Sequence, residues 1–361
     1  MKKQTKLIFF MYTLFCSCCM YSCTGITLKS EDGAFVYGRT LEFAQDLDSD
    51  LIIVPRGYTY TGSTPSGKSG LTWKVKYAFT AMNASIKPNL VADGLNEKGL
   101  AVGAFYFPGY AKFQTYEENF AKKTISPIEF PAWLLSKFAT IDQVKKNINS
   151  CRVVDVILKE WSFVPPLHFF VIDKQGKSIV IEYMNNKVKI HDNPIGVITN
   201  APAFDWHITN LNNFINMSCL GELPKKLGNL TLKPFGEGSG MLGLPGDFTP
   251  PSRFIRAAFL SKNVFVGKDA LATVKQVFHV LNQFDIPKGT VCKSKDQKGM
   301  CGKTQWTSAC DTNNIRYYVH TINNRTIRMI DLKKANLNAK EIVTVPIFSV
   351  EEKIEDLTPK R

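Results

Sequence analysis

The chain has 361 residues, 44% of them hydrophobic and 12% aromatic, which supports a sizeable core and excludes a disordered chain. Its formal net charge is +14, but the basic residues are scattered, so the charge does not indicate nucleic-acid binding. Dispersed positive charge favours solubility and the attraction of anionic ligands. No apolar stretch reaches the roughly 18–20 residues that a membrane-spanning helix needs, and no stable membrane insertion is expected.

The first 22 residues have the pattern of a secretory signal peptide, with an apolar first strand as the alternative. Lysines near the start are followed by an apolar run over 7–15 and by small residues that end at Ser22. The sequence therefore predicts removal of 1–22 and export of the remainder to the periplasm or the medium. The mature part, 23–361, begins at Cys23 and contains no clear linker, so we expect it to form one domain.

Directly after this segment the pattern predicts a β-hairpin, with strands near 26–28 and 35–37 joined by a turn at 31–33. Residues 51–54 form the next predicted strand. The stretch 57–70 is rich in Gly, Ser and Thr and is predicted to be a loop.

The middle of the chain alternates strand and helix patterns. A buried strand is predicted at 100–107, and helical spacing predicts one long helix over 127–148. Alternating apolar residues then predict a meander of strands, at 168–172, 178–181, 188–190 and 195–199.

The last third begins with a loop rich in Gly and Pro at 235–251. Ser252 is predicted to cap a helix that runs to about Leu260, and a second helix is predicted at 270–284. Three further strands are predicted at 305–308, 315–320 and 326–330. Because hairpin connections predominate, the order favours an α+β fold of antiparallel sheets covered by helices.

The cysteines indicate a disulfide rather than a metal site. Cys292 and Cys301 could close a short loop in an oxidising compartment, or remain free thiols. The late set that also includes Cys310 and His320 lacks a Cys-x-x-Cys step, which argues against zinc.

Two short segments resemble nucleotide-binding motifs, but the residues around them do not fit such motifs. The glycine pattern at 238–243 runs directly into Leu-Pro-Gly instead of a helix. Residues 302–304 resemble the end of a phosphate-binding loop, but Gln297 stands where that loop needs glycine. Neither pattern therefore predicts a nucleotide-binding site.

Cys23 would carry a nucleophile and a base in one residue once it became the first residue. Its α-amine would have a pKa of about 7.7–8.0 and could accept the thiol proton at neutral pH. Two alternatives remain open: an ordinary residue near a cleavage site, or a lipid anchor on a non-catalytic exported protein. Tyr21 fits a lipidation signal poorly, and acylation of the amine would remove the base.

A series of short segments supports the catalytic interpretation. They lie at 23–28, 38–43, 93–100, 165–168, 196–200, 206–211, 243–250, 253–254 and 307–310. In type and order they resemble the choloylglycine hydrolase family, which contains penicillin V acylases and conjugated bile acid hydrolases. The resemblance covers nearly the whole mature chain and is nearer to the acylase branch.

The resemblance implies a four-layer αββα sandwich, the N-terminal-nucleophile (Ntn) hydrolase fold. It also implies hydrolysis of a linear amide bond through a thioester acyl-enzyme, without metal or cofactor. A homo-oligomer, a tetramer in the family, is a further implication.

Carried over by position, Cys23 is the nucleophile, and Arg39 is a cation beside it that should lower the pKa of the thiol. Asn200 and the backbone amide of Tyr106 would stabilise the oxyanion, where one donor is typically worth a factor of about 10²–10³. Arg253 would organise the site.

One position departs from the family. The family has Asp three residues after the arginine, to bind the terminal amine, whereas this chain has Glu42. Asp46 is a possible substitute. His207, next to a tryptophan, is expected to be packed rather than catalytic.

The substrate is left open among linear acyl amides with an apolar acyl group. Phenoxyacetyl penicillins, glycine- or taurine-conjugated bile acids and N-acyl homoserine lactones all qualify. The position of Tyr106 and the nearer likeness favour penicillin V.

Overall fold

The computed structural model describes residues 22–84, 90–158, 162–292 and 301–359. The predicted signal peptide lies outside these ranges except for Ser22, which begins the first strand. Within the described ranges no helix has both the length and the apolar character required to cross a membrane.

Strands dominate the described chain. In chain order they are β1 (Ser22–Lys29), β2 (Phe35–Phe43), β3 (Leu51–Val54), β4 (Thr59–Ser63), β5 (Ser69–Lys74), β6 (Phe79–Asn83), β7 (Val91–Asn96), β8 (Ala101–Tyr106), β9 (Thr124–Ile125), β10 (Arg152–Val153), β11 (Leu167–Ile172), β12 (Ser178–Met184), β13 (Lys187–Asp192), β14 (Lys225–Leu227), β15 (Leu230–Leu232), β16 (Val291–Cys292), β17 (Cys301–Asp311), β18 (Arg316–Thr321), β19 (Asn324–Asp331) and β20 (Val343–Val345).

Helices are fewer and mostly short. They are α1 (Phe130–Lys137), α2 (Ile141–Asn147), α3 (Phe204–Asn210), α4 (Pro250–Asn263) and α5 (Ala270–Leu281). Single 3₁₀ turns lie at Glu118–Lys123, Pro127–Glu129, Ile148–Ser150, Leu211–Phe214, Ser239–Met241, Asn282–Phe284 and Leu332–Lys334.

Two antiparallel sheets form the centre of the molecule. The first has the order β1-β2-β17-β18-β19, with β16 paired to β17, and the second has the order β13-β12-β11-β8-β7-β6-β3-β20. Helices α4 and α5 cover the outer face of the first sheet, and α1 covers that of the second. The inner faces meet through β1 against β8 and β18 against β7. This is the four-layer αββα sandwich that the resemblance implied.

The sequence of the central strands explains this layering. Strand β11 reads LHFFVI and is buried along its whole length, because helices cover one face of its sheet and the other sheet covers the second. Between the sheets, Tyr37 of β2 stacks on Phe170 of β11 with ring centroids 4.9 Å apart. Their burial removes large aromatic surfaces from water.

The expected long helix over 127–148 is wrong in one respect. It is interrupted after α1, where Phe138 adopts an extended conformation, and restarts at α2. Thr140 caps the new helix by accepting a hydrogen bond from the Gln143 amide. A Thr followed three residues later by Gln is the start signal of a helix.

The expected loop at 57–70 is also wrong. Residues 59–63 and 69–74 form the hairpin β4–β5, in which Tyr60 and Trp73 stack at 5.1 Å. Two glycines of its strands, Gly62 and Gly70, allow close backbone packing. A Cβ on Gly70 would lie 2.3 Å from the Thr124 carbonyl oxygen.

Three smaller expectations are resolved by the structure. The N-cap of α4 is Thr249, followed by Pro250, and not Ser252, because proline favours the first helical position. The segment 195–199 joins the fold by a single bridge instead of a strand. Cys292 and Cys301 are paired in a disulfide.

Candidate active site

The first hairpin places Cys23 beside Arg39. In the β1–β2 pairing Cys23 lies opposite Leu41 and Gly25 opposite Arg39, so both side chains point to the face that meets the second sheet. Arg39 Nη2 lies 3.0 Å from Cys23 Sγ. Both residues are buried, so this contact is shielded from water.

Backbone carbonyls hold the guanidinium of Arg39 in place. Nη1 donates to the carbonyls of Ala92 (3.1 Å) and Ala104 (2.6 Å), which lie within β7 and β8. Phe105 lies beneath the guanidinium, with its ring centroid 4.3 Å away. The cation is therefore fixed before any substrate arrives.

Arg39 lowers the pKa of the Cys23 thiol as expected, but it does not determine the net shift. Burial raises the pKa of the thiol more than Arg39 lowers it, and the pKa lies above its ordinary value. The thiol is therefore protonated at neutral pH, and nucleophilic attack requires a base.

A bridge between distant segments brings Asn200 to the thiol. Gly25 and Ile198 exchange both backbone hydrogen bonds, at 2.8 and 3.0 Å. Two residues further along, Asn200 Oδ1 accepts from the backbone nitrogen of Cys23 at 2.9 Å. Asn200 Nδ2 donates to the Tyr106 carbonyl at 2.8 Å, so the two expected oxyanion residues are adjacent.

Arg253 completes the group from the other side of the sheet. It lies on α4 and donates from Nη1 to the Cys23 carbonyl and to Thr24 Oγ1. Nη2 donates to Asn200 Oδ1 at 2.7 Å. Burial lowers the pKa of Arg253 to about 10, so it remains a cation at neutral pH.

Glu42 is buried on the face of the first sheet that α4 and Arg253 cover. Its Oε1 accepts from Thr304 Oγ1 at 3.0 Å, and its Oε2 has no hydrogen-bond partner among the described residues. Burial raises the pKa of Glu42 to about 7, although Arg253 opposes the rise. Asp46 does not substitute for it, because the Asp46 side chain is 69% exposed and pairs with Lys303 at 2.7 Å.

An apolar pocket opens beside the sulfur. Cys23, Arg39 and Tyr106 lie in its wall. The remaining wall is mostly aliphatic and aromatic and includes Leu41, Phe43, Leu47, Ala84, Ala92, Ala104, Ile128, Phe163, Pro165 and Leu167. Such a wall suits an apolar acyl group next to the nucleophile.

Two histidines that the sequence did not assign to the site contact the backbone at Asn200 and at the residue before it. His207 Nε2 lies 3.0 Å from the Asn200 carbonyl, and its ring stacks on Phe254 at 4.5 Å, consistent with a packed histidine. His168 Nε2 lies 3.1 Å from the Thr199 carbonyl.

Asp93 is a further buried carboxylate near Arg39. Its Oδ2 accepts from Ser308 Oγ (2.5 Å) and from Tyr317 (2.9 Å). Burial raises its pKa to about 6, although Arg39 and these hydroxyls oppose the rise. Within the described residues no group of three His, Cys, Asp or Glu side chains is arranged to hold a metal ion.

The protein has two antiparallel sheets between layers of helices. At the start of its first strand, a buried cysteine lies beside a fixed arginine of the second strand. These features define the class of Ntn hydrolases. A sequence model of the linear amide C–N hydrolases, choloylglycine hydrolase family, matches residues 23–345. The chain belongs to this family and is a hydrolase of linear amide bonds.

Characterised relatives agree with this assignment. The chain is 36% identical over 326 residues to a bile salt hydrolase/transferase of Clostridium perfringens, covering 89% of this chain and 96% of the relative. It is 25% identical over 320 residues to a penicillin V acylase of Pectobacterium atrosepticum, covering 83% and 78%. These identities do not support the expected nearness to the acylase branch.

Solved structures also agree. A conjugated bile acid hydrolase from Clostridium perfringens superposes with a TM-score of 0.82 at 33% identity, covering 93% of this chain and all of that one. A penicillin V acylase from Agrobacterium tumefaciens has a TM-score of 0.71 at 21% identity, covering 90% and 91%, and supports the fold alone.

Proposed function

We propose that Cys23, exposed as the first residue, transfers the acyl group of a linear amide to its sulfur and then to water. The observation that carries this proposal is the 3.0 Å contact between Arg39 Nη2 and Cys23 Sγ at the wall of an apolar pocket. Two solved structures of the Clostridium perfringens hydrolase carry a cysteine-to-alanine and an arginine-to-leucine substitution, respectively. The two substituted positions are as far apart in sequence as Cys23 and Arg39.

The reaction begins with a proton transfer. The α-amine of Cys23, directly or through one water, takes the thiol proton, and the sulfur attacks the amide carbonyl. Asn200 Nδ2 has a second hydrogen beyond the one given to Tyr106, and it donates this hydrogen to the oxyanion together with the Tyr106 amide. The leaving amine takes a proton from the Cys23 ammonium, and water then cleaves the thioester.

Glu42 is assigned to hold the new terminal amine. Ser22 lies opposite Glu42 in the β1–β2 pairing, so the amine arises close to this carboxylate. The poorly paired Oε2 of Glu42 can accept a hydrogen bond from an ammonium group.

Maturation by removal of 1–22 and export are parts of the same proposal. The family match begins at Cys23, which supports cleavage before this residue. A lipid anchor is the rival, but the Cys23 side chain is only 4% exposed and its sulfur contacts Arg39. A diacylglyceryl group on this sulfur would have to displace the first hairpin.

For the substrate we propose a conjugated bile acid. The bile salt hydrolase/transferases of Clostridium perfringens and Lactiplantibacillus plantarum are 36% and 34% identical to this chain, which supports this class. Penicillin V is a second candidate, because Tyr106 stands where the acylase branch has tyrosine and lines the pocket. Hydrolysis rates for glycocholate, taurocholate, penicillin V and an N-acyl homoserine lactone would identify the preferred substrate. Faster hydrolysis of penicillin V or of the lactone than of both bile acids would reject the bile acid proposal.

We also propose that the chain forms a homo-oligomer. Support comes from a hairpin, β14–β15, whose residues are exposed, and from large apolar side chains around it. These are Ile215, Leu220, Leu223, Leu227, Leu230, Leu232, Phe235 and Leu242. Several large exposed apolar side chains within one segment are typical of interaction sites between proteins.

The test of the nucleophile is Cys23→Ala, with Cys219→Ala as the control, because Cys219 is an exposed free cysteine. Cys23→Ala should reduce kcat at least about a thousandfold while circular dichroism stays unchanged, since loss of a nucleophile removes the covalent route. Cys219→Ala should keep full activity. Turnover by Cys23→Ala at the wild-type rate would refute the proposal.

A further inference from the structure

One buried carboxylate contacts one end of the segment that carries Asn200 and is linked to the other end through a histidine. Glu182, on β12, accepts a hydrogen bond from the Phe204 amide at 2.9 Å. The same oxygen, Oε1, lies 3.2 Å from His168 Nδ1. His168 Nε2 in turn lies 3.1 Å from the carbonyl of Thr199, the residue before Asn200. The segment 199–204 is thus attached to Glu182 directly at one end and through His168 at the other.

His168 lies between two hydrogen-bond acceptors. Its Nδ1 faces the Glu182 carboxylate and its Nε2 faces the Thr199 carbonyl. The ring also stacks on Phe107 at 4.3 Å with an interplanar angle of 2°, and this contact fixes its plane.

Glu182 stays ionised in this position. Its side chain is buried, and burial raises its pKa, but His168, His191 and the Phe204 amide beside the carboxylate lower the pKa further, to about 2. His191 Nε2 lies 3.2 Å from Oε2 and is the second histidine that faces the carboxylate.

We propose that Glu182 and His168 are positioning residues that hold the Asn200 amide at the oxyanion. This inference rests on the proposed function, in which Asn200 stabilises the tetrahedral intermediate. The pair touches no substrate and acts through the backbone on both sides of Asn200. The position of the Asn200 amide matters because a misplacement of a catalytic group by about 1 Å can lower the rate about 100-fold.

The experiment compares Glu182→Gln with Asp173→Asn in the mature enzyme. Glutamine has the shape of glutamate but is neutral, and its amide nitrogen donates where a carboxylate oxygen would accept. Asp173 is a matched control, because it is also buried and accepts backbone amides, but it follows the far end of β11. We expect kcat to fall about 10- to 100-fold for Glu182→Gln, KM to change less than about threefold, and Asp173→Asn to keep its kcat.

A double-mutant cycle with Asn200→Ala separates positioning from a general structural role. If the pair acts through Asn200, Glu182→Gln should cost less than about threefold in kcat when Asn200 is already alanine. An equal cost in both backgrounds, or a kcat of the single variant within about twofold of wild type, would overturn the inference. Should Glu182→Gln not fold, His168→Gln takes its place in the same cycle with the same expected outcomes.

The failure of this inference can be distinguished from failure of the proposed function. A fully active Glu182→Gln beside a strongly impaired Asn200→Ala would remove only the positioning role. A fully active Asn200→Ala would remove both.

Discussion

At the scale of single residues, the site depends on how a buried cation is supported. The guanidinium of Arg39 is fully buried and donates to backbone carbonyls and to the Cys23 sulfur instead of forming a direct ion pair. Burial lowers the pKa of Arg39, but the neighbouring thiol and Asp93 raise it more. The positive charge is therefore permanent, and its effect on Cys23 does not vary with pH.

The first prediction concerns this charge. Arg39→Leu should raise the pKa of the Cys23 thiol further, because the lowering effect of the cation is lost while burial remains. A higher pKa leaves a smaller thiolate fraction, so alkylation of Cys23 by iodoacetamide at neutral pH should be slower than in the wild type. Arg56→Leu, at an exposed ion pair, is the control. Equal alkylation rates for Arg39→Leu and wild type would contradict the role of Arg39.

The second prediction concerns Asp93. Its pKa in the folded state, about 6, lies above that of an exposed aspartate, so it stabilises the fold at low pH, and this contribution is lost as the pH rises towards about 6. Between about pH 4.5 and about pH 7.5 this loss should be about 2 kcal/mol. Asp93→Asn should remove that part of the pH dependence, measured by urea unfolding at both pH values. The same pH dependence in wild type and variant would show that Asp93 does not titrate in this range.

At the scale of secondary-structure elements, close packing of α5 on the first sheet fixes the strand that carries Arg39. A Cβ on Gly38 would lie 2.3 Å from Val277 Cγ1 and 2.9 Å from the Ser308 carbonyl. Gly38 is thus the point of closest approach between helix and strand.

The third prediction follows from this contact. Gly38→Ala should destabilise the protein by about 1–3 kcal/mol, because overpacking forces helix and sheet apart, and should also reduce activity by shifting Arg39. Gly246→Ala is a suitable control, since a Cβ there meets nothing within 4 Å. Denaturant unfolding and kcat would be measured for both variants. Wild-type stability of Gly38→Ala would show that the interface can adapt.

The elements also show what the sequence could reveal. Strand and helix order followed from apolar periodicity, and Cys23, Arg39, Asn200 and Arg253 followed from short motifs in family order. The structure brings these four together through the β1–β2 pairing and the Gly25 bridge.

The roles of His168 and Glu182 could not be predicted in the same way. They are 14 residues apart, and His168 is 31 residues from Thr199, so their contacts exist only after the sheet has formed. The net direction of the shift in the Cys23 pKa could not be predicted either, because it depends on how deeply the thiol is buried. The break at Thr140 and the β4–β5 hairpin were readable, from a capping signal and from alternation at 59–63.

At the scale of the whole molecule, the segment around the β14–β15 hairpin carries several exposed large apolar side chains. The β14–β15 hairpin presents Leu227 and Leu230 to solvent, and they are 67% and 59% exposed. A second copy of the chain would remove this surface from water.

The fourth prediction is therefore an oligomer that depends on this hairpin. Light scattering after size-exclusion chromatography should give a mass of at least two chains for the wild type. The double variant Leu227→Lys with Leu230→Lys should dissociate, because buried unpaired charges are costly. Ile354→Lys, at an exposed position elsewhere, should leave the mass unchanged. A monomeric wild type would exclude the oligomer.

The most direct measurement of the central claim is mass spectrometry of active enzyme quenched with acid during turnover. If Cys23 is the first residue and the nucleophile, the intact mass should equal that of 23–361, and peptide mapping should find the acyl group on Cys23 as a thioester. Active enzyme that retains Ser22, or an acyl group on another residue, would contradict the account.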